Sequence, residues 1–189
     1  MEFKVEKTFI RDLLIIKHEK FTDERGFIAE TYRKDKYTEL GLDVEFVQDN
    51  HTRSTKNILR GLHFQWEPPM GKMVRVIQGT AFLVAVDIRI GSPTFGKWFG
   101  IESSFDSCEH VYAPAGFARG FYVLSDVAEI QYKCTGVYTS TKAESGILWN
   151  DPAIGIEWPG KNPILSAKDE IAQTLEQWTK DETSKKFVY

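Results

Sequence analysis

Residues 71–90 read GKMVRVIQGTAFLVAVDIRI. Two runs with a period of two meet at Gly79. In the second, Phe82, Val84, Val86, Ile88 and Ile90 fall on one side, while Asp87 and Arg89 fall on the other. That spacing is the signature of a β-strand. In the first run, Met73, Arg75 and Ile77 share one side and Lys72, Val74 and Val76 the other, so the pattern is imperfect where a cation sits.

Working outward, similar short runs recur along the chain: DLLIIKHEKF (12–21), GFIAETY (26–32), VEFVQDNHT (44–52), NILRGLHFQ (57–65), GKWFGIES (96–103), EHVYAPAG (109–116), ARGFYVLSD (118–126) and AEIQYKCTGVY (128–138). Gly, Pro, Asp and Asn separate them. Roughly eight to ten short strands at close spacing predict an all-β sandwich or barrel. The long spacing of βαβ units is missing, which argues against a dinucleotide-binding sheet. Two helices are expected. KDKYTELG (34–41) ends on Gly41, a natural C-terminal cap. SAKDEIAQTLEQWTK (166–180) offers Ser166 as N-cap, Asp169 three residues on, and an Ile171, Leu175, Trp178 stripe. The charged tail 180–189 is expected to be less ordered unless Phe187 and Tyr189 dock.

With 189 residues, a single domain is expected over 1–189, large enough for a real core. The net charge of −3 argues against a protein that coats nucleic acid. No apolar run approaches the roughly 20 residues of a membrane span. Charges throughout the first twenty residues do not suit a secretory leader. Cys108 and Cys134 are too few for a disulfide framework and read as reduced thiols of a cytoplasmic protein. Aromatic content of 13% suits a β-rich core or a pocket that stacks on flat ligands.

The chemistry centres on ILRGLHFQ (58–65). Arg60 and His63 are three residues apart, so regular alternation would place them on opposite faces. A bulge at Gly61 would turn both to one face. Gln48, Asp49 and Asn50 lie in the preceding run, and Lys72 and Arg75 in the following one. If the three strands converge, they form a cationic pocket that suits a phosphorylated ligand. The histidines (His18, His51, His63, His110) are not paired at i, i+2, and no Glu follows His63 at short spacing, so no catalytic metal is expected. A metal-free site needs a base and an electrophile. His63 can be the base if a carboxylate fixes its tautomer, with Asp49, Asp87, Asp151 and Asp169 as candidates. Lys72 can stabilise an oxyanion, and Tyr132 or Tyr138 can supply a phenolic proton. Arg25 and Phe27, in FTDERGFIAETY (21–32), suit pyrophosphate pairing and base stacking.

FTDERGFIAETY, FVQDNHTRSTKNILRGLHFQ (46–65), residues 71–98, PAGFARGF (114–121), SDVAEIQYKCTGVY (125–138), ILWNDPAIGIEWP (147–159) and LSAKD (165–169) resemble, in order, the dTDP-4-dehydrorhamnose 3,5-epimerase family. The resemblance implies a cupin-like jelly roll without metal or cofactor. It also implies a homodimer in which N-terminal strands help complete the partner's sheet or site. The expected substrate is a nucleotide-linked 4-keto-6-deoxy sugar, inverted at carbons beside the ketone. The family's motifs make His63 the base, Asp169 its carboxylate partner, Tyr132 the acid on the opposite face and Lys72 the oxyanion stabiliser. Arg25, Glu30, Gln48, Asn50, Arg60, Glu144 and Lys168 become nucleotide or sugar contacts, with Tyr138 a weaker one. One departure stands out: the family usually reads GFAHGF, and here Arg119 replaces that histidine. Arg119 either still binds a phosphate or sugar oxygen or alters the outcome, toward one carbon only (C3 or C5) or another sugar or nucleotide, with dTDP-, GDP- and CDP-linked 4-keto sugars as the options. Inversion at both carbons is the preferred reading; a non-catalytic sugar-nucleotide binder is the alternative of another class.

Overall fold

The alternating run at 80–87 becomes an inner strand of one of two facing sheets in the computed structural model, which describes residues 1–189. Thirteen strands form: β1 (Phe3–Lys7), β2 (Leu14–His18), β3 (Phe21–Asp23), β4 (Gly26–Ile28), β5 (Gln48–Thr55), β6 (Leu59–Gln65), β7 (Lys72–Gln78), β8 (Thr80–Asp87), β9 (Trp98–Ser104), β10 (Glu109–Ala113), β11 (Phe117–Val123), β12 (Val127–Cys134) and β13 (Glu144–Gly146). One sheet has the order β1-β2-β10-β7-β12-β5, the other β13-β6-β11-β8-β9, and β3 and β4 form a separate hairpin. Neighbouring strands of both sheets run antiparallel. This is the expected all-β, cupin-like jelly roll.

Both faces of the second sheet are covered, which explains why β8 reads as a nearly continuous apolar run. Ala81, Leu83 and Ala85 face the other sheet and pack with Val76, Val111, Phe121 and Ile130. Val84, Val86 and Ile88 face outward, onto Trp178, Leu175, Phe187 and Ile147. Each such fully buried side chain contributes about 1.5–3 kcal/mol. On β7 the two faces divide similarly. Val74 and Val76 look into the space between the sheets. Met73 looks outward, under a layer containing Tyr37 and Leu42.

Helix α1 (Lys34–Glu39) forms as expected, and Gly41 takes the left-handed conformation that ends it, at φ +87°. The long C-terminal helix does not form. It divides into α2 (Ala167–Glu170) and α3 (Leu175–Lys180). Between them Gln173 runs beside the strand end at Ile147 and accepts a hydrogen bond from the Leu148 amide. Thr174 then caps α3 in a box with Gln177. Leu175 and Trp178 are buried as the stripe required, but Ile171 is 83% exposed. The periodic pattern is therefore shared by two short helices whose relative placement is set by tertiary pairing. The tail docks: Phe187 is buried against Phe64 and Trp178, and Tyr189 stacks on Arg89.

At one end of the six-stranded sheet, His18 and His110 lie with ring centroids 5.2 Å apart. Each has a buried Nδ1 with no hydrogen-bond partner. Burial holds both below the usual imidazole range, helped by Arg75 and, for His110, by His18 and Lys133. Groups kept neutral when folded but charged when unfolded cost stability in acid. Stability is therefore fully present above the unfolded pKa of about 6.5 and falls as pH drops through it. From pH 7.5 to 5.5 we expect a loss of about 1–2 kcal/mol, or roughly 3–6 °C in Tm. Thermal melts across that range check this, and His110→Asn should flatten the slope; an unchanged slope in that variant contradicts it.

Candidate active site

The strand β6 carries one residue too many for its neighbour. His63 pairs with Arg119 and Arg60 with Phe121, so Gly61 and Leu62 together face Gly120. This is the bulge expected at Gly61. Directly paired residues point to the same face, and Arg119 and Phe121 both point inward. Arg60 and His63 consequently enter the same cavity, and Leu62 turns outward into the core. The glycine is required twice over. Its φ is +135°, and a Cβ there would stand 2.6 Å from Gly120 Cα and 2.9 Å from the Arg119 carbonyl oxygen.

The cavity has a volume of about 680 Å³ and opens between the sheets. Its polar wall follows from strand register. Gln48, Cys134 and Lys72 lie in one row across β5, β12 and β7, and Asn50, Tyr132 and Val74 in the next inward-facing row. Gln48, Asn50, Lys72 and Tyr132 line the cavity, and the Lys72 ammonium sits 4.9 Å from the centre of the Tyr132 ring. Burial, assisted by the nearby Arg119 charge, lowers the Lys72 pKa to about 8. Burial also raises the Tyr132 phenol above its ordinary value, so the phenol keeps its proton at neutral pH.

Across the cavity, His63 Nε2 lies 2.6 Å from Asp169 Oδ1. Asp169 is 3% exposed and sits on α2, whose N-terminus is capped by Ser166. Burial pushes the Asp169 carboxyl up, but the His63 hydrogen bond and charge, Ser166 and the Gly61 amide outweigh it, and the group is held below the usual range. With Nε2–H donating to the carboxylate, Nδ1 carries the free lone pair. The other carboxylates weighed as partners lie elsewhere. Asp49 pairs with Lys133 at 2.9 Å. Asp87 is bound by Arg89, Ser92 and Thr94. Asp151 accepts from the Leu175 and Ala153 amides and fixes the start of α3.

At the mouth, Arg60 Nε donates to Ser54 Oγ at 3.0 Å, Lys168 pairs with Glu144 at 3.3 Å, and the Tyr138 amide donates to Gln48 at 2.8 Å. All of these except Ser54 line the cavity. Other residues do not come together with it. Arg75 points to the opposite face of β7, where it donates to Gln131 at 3.3 Å; the register that turns Lys72 inward turns Arg75 outward. Arg25 is exposed and paired with Asp23, Phe27 stacks edge-on against Phe105, and Glu30 faces Arg33. The hairpin and the segment after it thus lie away from this chain's cavity. Arg119 does line it, with its head turned into main-chain carbonyls. Sequence reading passed over Ser54, which orients Arg60, and Gln65, which holds the Pro68 and Val137 carbonyls. Their inward positions follow only once the register is known.

A base fixed by a carboxylate, a protonated phenol and a cation around one cavity can remove and return a proton beside a carbonyl. Known proteins with this fold are also similar to the chain in sequence. The family model described as dTDP-4-dehydrorhamnose 3,5-epimerase matches residues 7–177. The dTDP-4-dehydrorhamnose 3,5-epimerase of Shigella flexneri is 53% identical over 167 residues, which cover 87% of this chain and 92% of that protein. Its counterpart in Salmonella typhimurium is 53% identical over 176 residues, covering 92% and 96%. The crystal structure of dTDP-6-deoxy-D-glucose-3,5-epimerase from Legionella pneumophila, in complex with dTDP-4-keto-L-rhamnose, has a TM-score of 0.89. It shares 45% identity and covers 93% of this chain and 94% of that one. With these matches over nearly its whole length, the chain belongs to the dTDP-4-dehydrorhamnose 3,5-epimerase family of isomerases.

Proposed function

We infer that this protein inverts C3 and C5 of a dTDP-linked 4-keto-6-deoxyhexose. The His63–Asp169 pair, facing Lys72 and Tyr132 across one cavity, carries the reading. A proton beside a ketone is weakly acidic, and its removal leaves an enolate. His63 Nδ1 takes the proton, and Asp169 supports the resulting imidazolium. The Lys72 ammonium stabilises the enolate oxygen. Tyr132 returns a proton to the opposite face, which inverts the carbon. The substrate's own ketone is the electron sink, so the scheme uses no metal or cofactor. Gln48, Asn50, Arg60, Tyr138, Glu144 and Lys168 surround the mouth and suit the diphosphate and sugar.

Arg25, Phe27 and Glu30 fit this reading in a homodimer, in which the β3–β4 hairpin of one protomer reaches its partner. Phe21, Phe27 and Ile28 are all exposed on that hairpin, which supports a partner surface. The whole chain then works as one jelly-roll unit. Two unpaired cysteines suit a reducing, cytoplasmic setting.

The test is product stereochemistry. Incubated with dTDP-4-keto-6-deoxyglucose, the protein should give a product whose proton couplings report inversion at both C3 and C5. Inversion at one carbon, or none, overturns the reading.

A further inference from the structure

Arg119 stands where a substrate contact was expected, but its hydrogen bonds go elsewhere. Nη1 donates to the carbonyls of Met70 at 3.1 Å, Ala113 at 3.2 Å and Pro114 at 3.4 Å, and Nη2 donates to Met70 at 2.8 Å. Nε is buried without a partner. The guanidinium is thus directed at the protein rather than at the cavity. Every acceptor it reaches is a neutral carbonyl, so its charge is held in place without being cancelled.

Those carbonyls belong to the stretches of backbone next to Lys72. Met70 ends the loop that leads into β7, two residues before the lysine. Ala113 pairs directly with Lys72 in the neighbouring strand. We propose that Arg119 is a positioning residue for the reaction: it anchors the backbone just before Lys72 and the end of the strand paired with it, and keeps a second fixed cation near that lysine. The inference deepens the epimerase reading and rests on it.

The charges around Lys72 come from every element packed against it. Arg119 on β11 and Lys168 on α2 disfavour its charged form. Glu144 on β13 and the Cys134 thiol on β12 favour it, and the Tyr132 ring lies against it. Burial with Arg119 dominates, which places Lys72 near 8. Lys72 is then mostly an ammonium at neutral pH but holds its proton more loosely than a free lysine. Strong electrostatic pull on an enolate oxygen and easy sharing of a proton with it both follow. A histidine at 119 reaches less far and is mostly neutral near pH 7; burial lowers the Arg119 pKa to about 10, so the departure from GFAHGF keeps a positive charge there throughout the neutral range.

The experiment is a pH–rate profile. If turnover needs the Lys72 ammonium, kcat falls as pH rises through about 8. Arg119→Gln removes the fixed charge, and the alkaline limb should move up by about half a pH unit or more. Arg119→Lys keeps a charge but loses the planar fork; its limb should stay near the wild-type position while kcat drops. An unmoved limb in a folded Arg119→Gln variant overturns the proposal. So does a rise in KM alone, which would mark a substrate contact. Should both variants misfold, Arg119→His, which restores the family residue, carries the test by reductive ¹³C-methylation, with Lys72→Arg identifying the resonance. A Lys72 signal that titrates higher in Arg119→His than in wild type supports the proposal, and the same titration in both overturns it. Wild-type protein that turns over no substrate would instead remove the epimerase reading and leave the Lys72 titration as a separate result.

Discussion

Replacing His63 by Ala should lower kcat by about 10²–10⁴-fold, the usual contribution of a positioned general base. Binding of dTDP should change by no more than a few-fold, because the proposed scheme sets His63 against the reacting sugar rather than the diphosphate. Asp169→Asn should be nearly as damaging. The carboxylate fixes the imidazole through a 2.6 Å hydrogen bond to Nε2. An amide can instead offer its own N–H there, which favours the wrong tautomer and leaves any imidazolium unsupported. Steady-state kinetics with calorimetric dTDP binding separates the two effects. Undiminished turnover in either variant would remove the dyad. Asp151→Asn is a useful contrast: its carboxylate accepts the first amide of α3, from Leu175, and lines no part of the cavity. It should lower stability while leaving kcat of the folded protein near wild type.

Gly61→Ala should damage stability and activity together, through a single methyl. The new Cβ meets backbone atoms on the facing strand, at 2.6 Å from Gly120 Cα and 2.9 Å from the Arg119 carbonyl oxygen, and neither can swing away. The backbone at φ +135° is costly for any L side chain. Conformational strain and overpacking each cost about 1–3 kcal/mol, so a loss of roughly 3 kcal/mol or more is expected. For a chain of this size that is about 6–12 °C in Tm. Relief by opening β6 from β11 would displace Arg60 and His63 together relative to Lys72 and Tyr132 on the facing sheet, so activity should fall as well. Gly91→Ala separates the two causes. Gly91 has φ +84°, but a methyl added there would have no neighbour within 4 Å. Only the conformational part, about 1 kcal/mol, should be lost there. Equal losses at the two glycines would show that the close strand approach carries no weight.

The site was legible where its residues sit on strands. Alternation places Lys72 on a face with Val74 and Val76, and the glycine between Arg60 and His63 points to a bulge that register then bears out. An all-β sandwich or barrel follows from the number and spacing of apolar runs, and the resemblance narrowed it to a cupin-like jelly roll. Residues outside the strands were harder. Four aspartates were equal by spacing; the resemblance pointed to Asp169, and the fold brings it to His63 while Asp49, Asp87 and Asp151 are bound elsewhere. The C-terminal helix was misread for a related reason. A periodic pattern from 166 to 180 carries no mark of the pairing between Gln173 and the strand end at Ile147–Leu148 that divides it. The resemblance placed Arg119 at the pocket, but its direction depends on three carbonyls from two other segments. Such information is nonlocal, and propensity and periodicity do not contain it.

Deuterium exchange from solvent tests most directly whether one bulged strand delivers one base to both carbons. dTDP-4-keto-6-deoxyglucose would be incubated in deuterium oxide with wild-type protein and with His63→Ala, and read by proton NMR and mass spectrometry. Wild-type protein should place deuterium at both C3 and C5, and His63→Ala at neither. Deuterium at both carbons with His63→Ala, or at one carbon only with the wild-type protein, would contradict the assignment of His63 as the single base of a double epimerase.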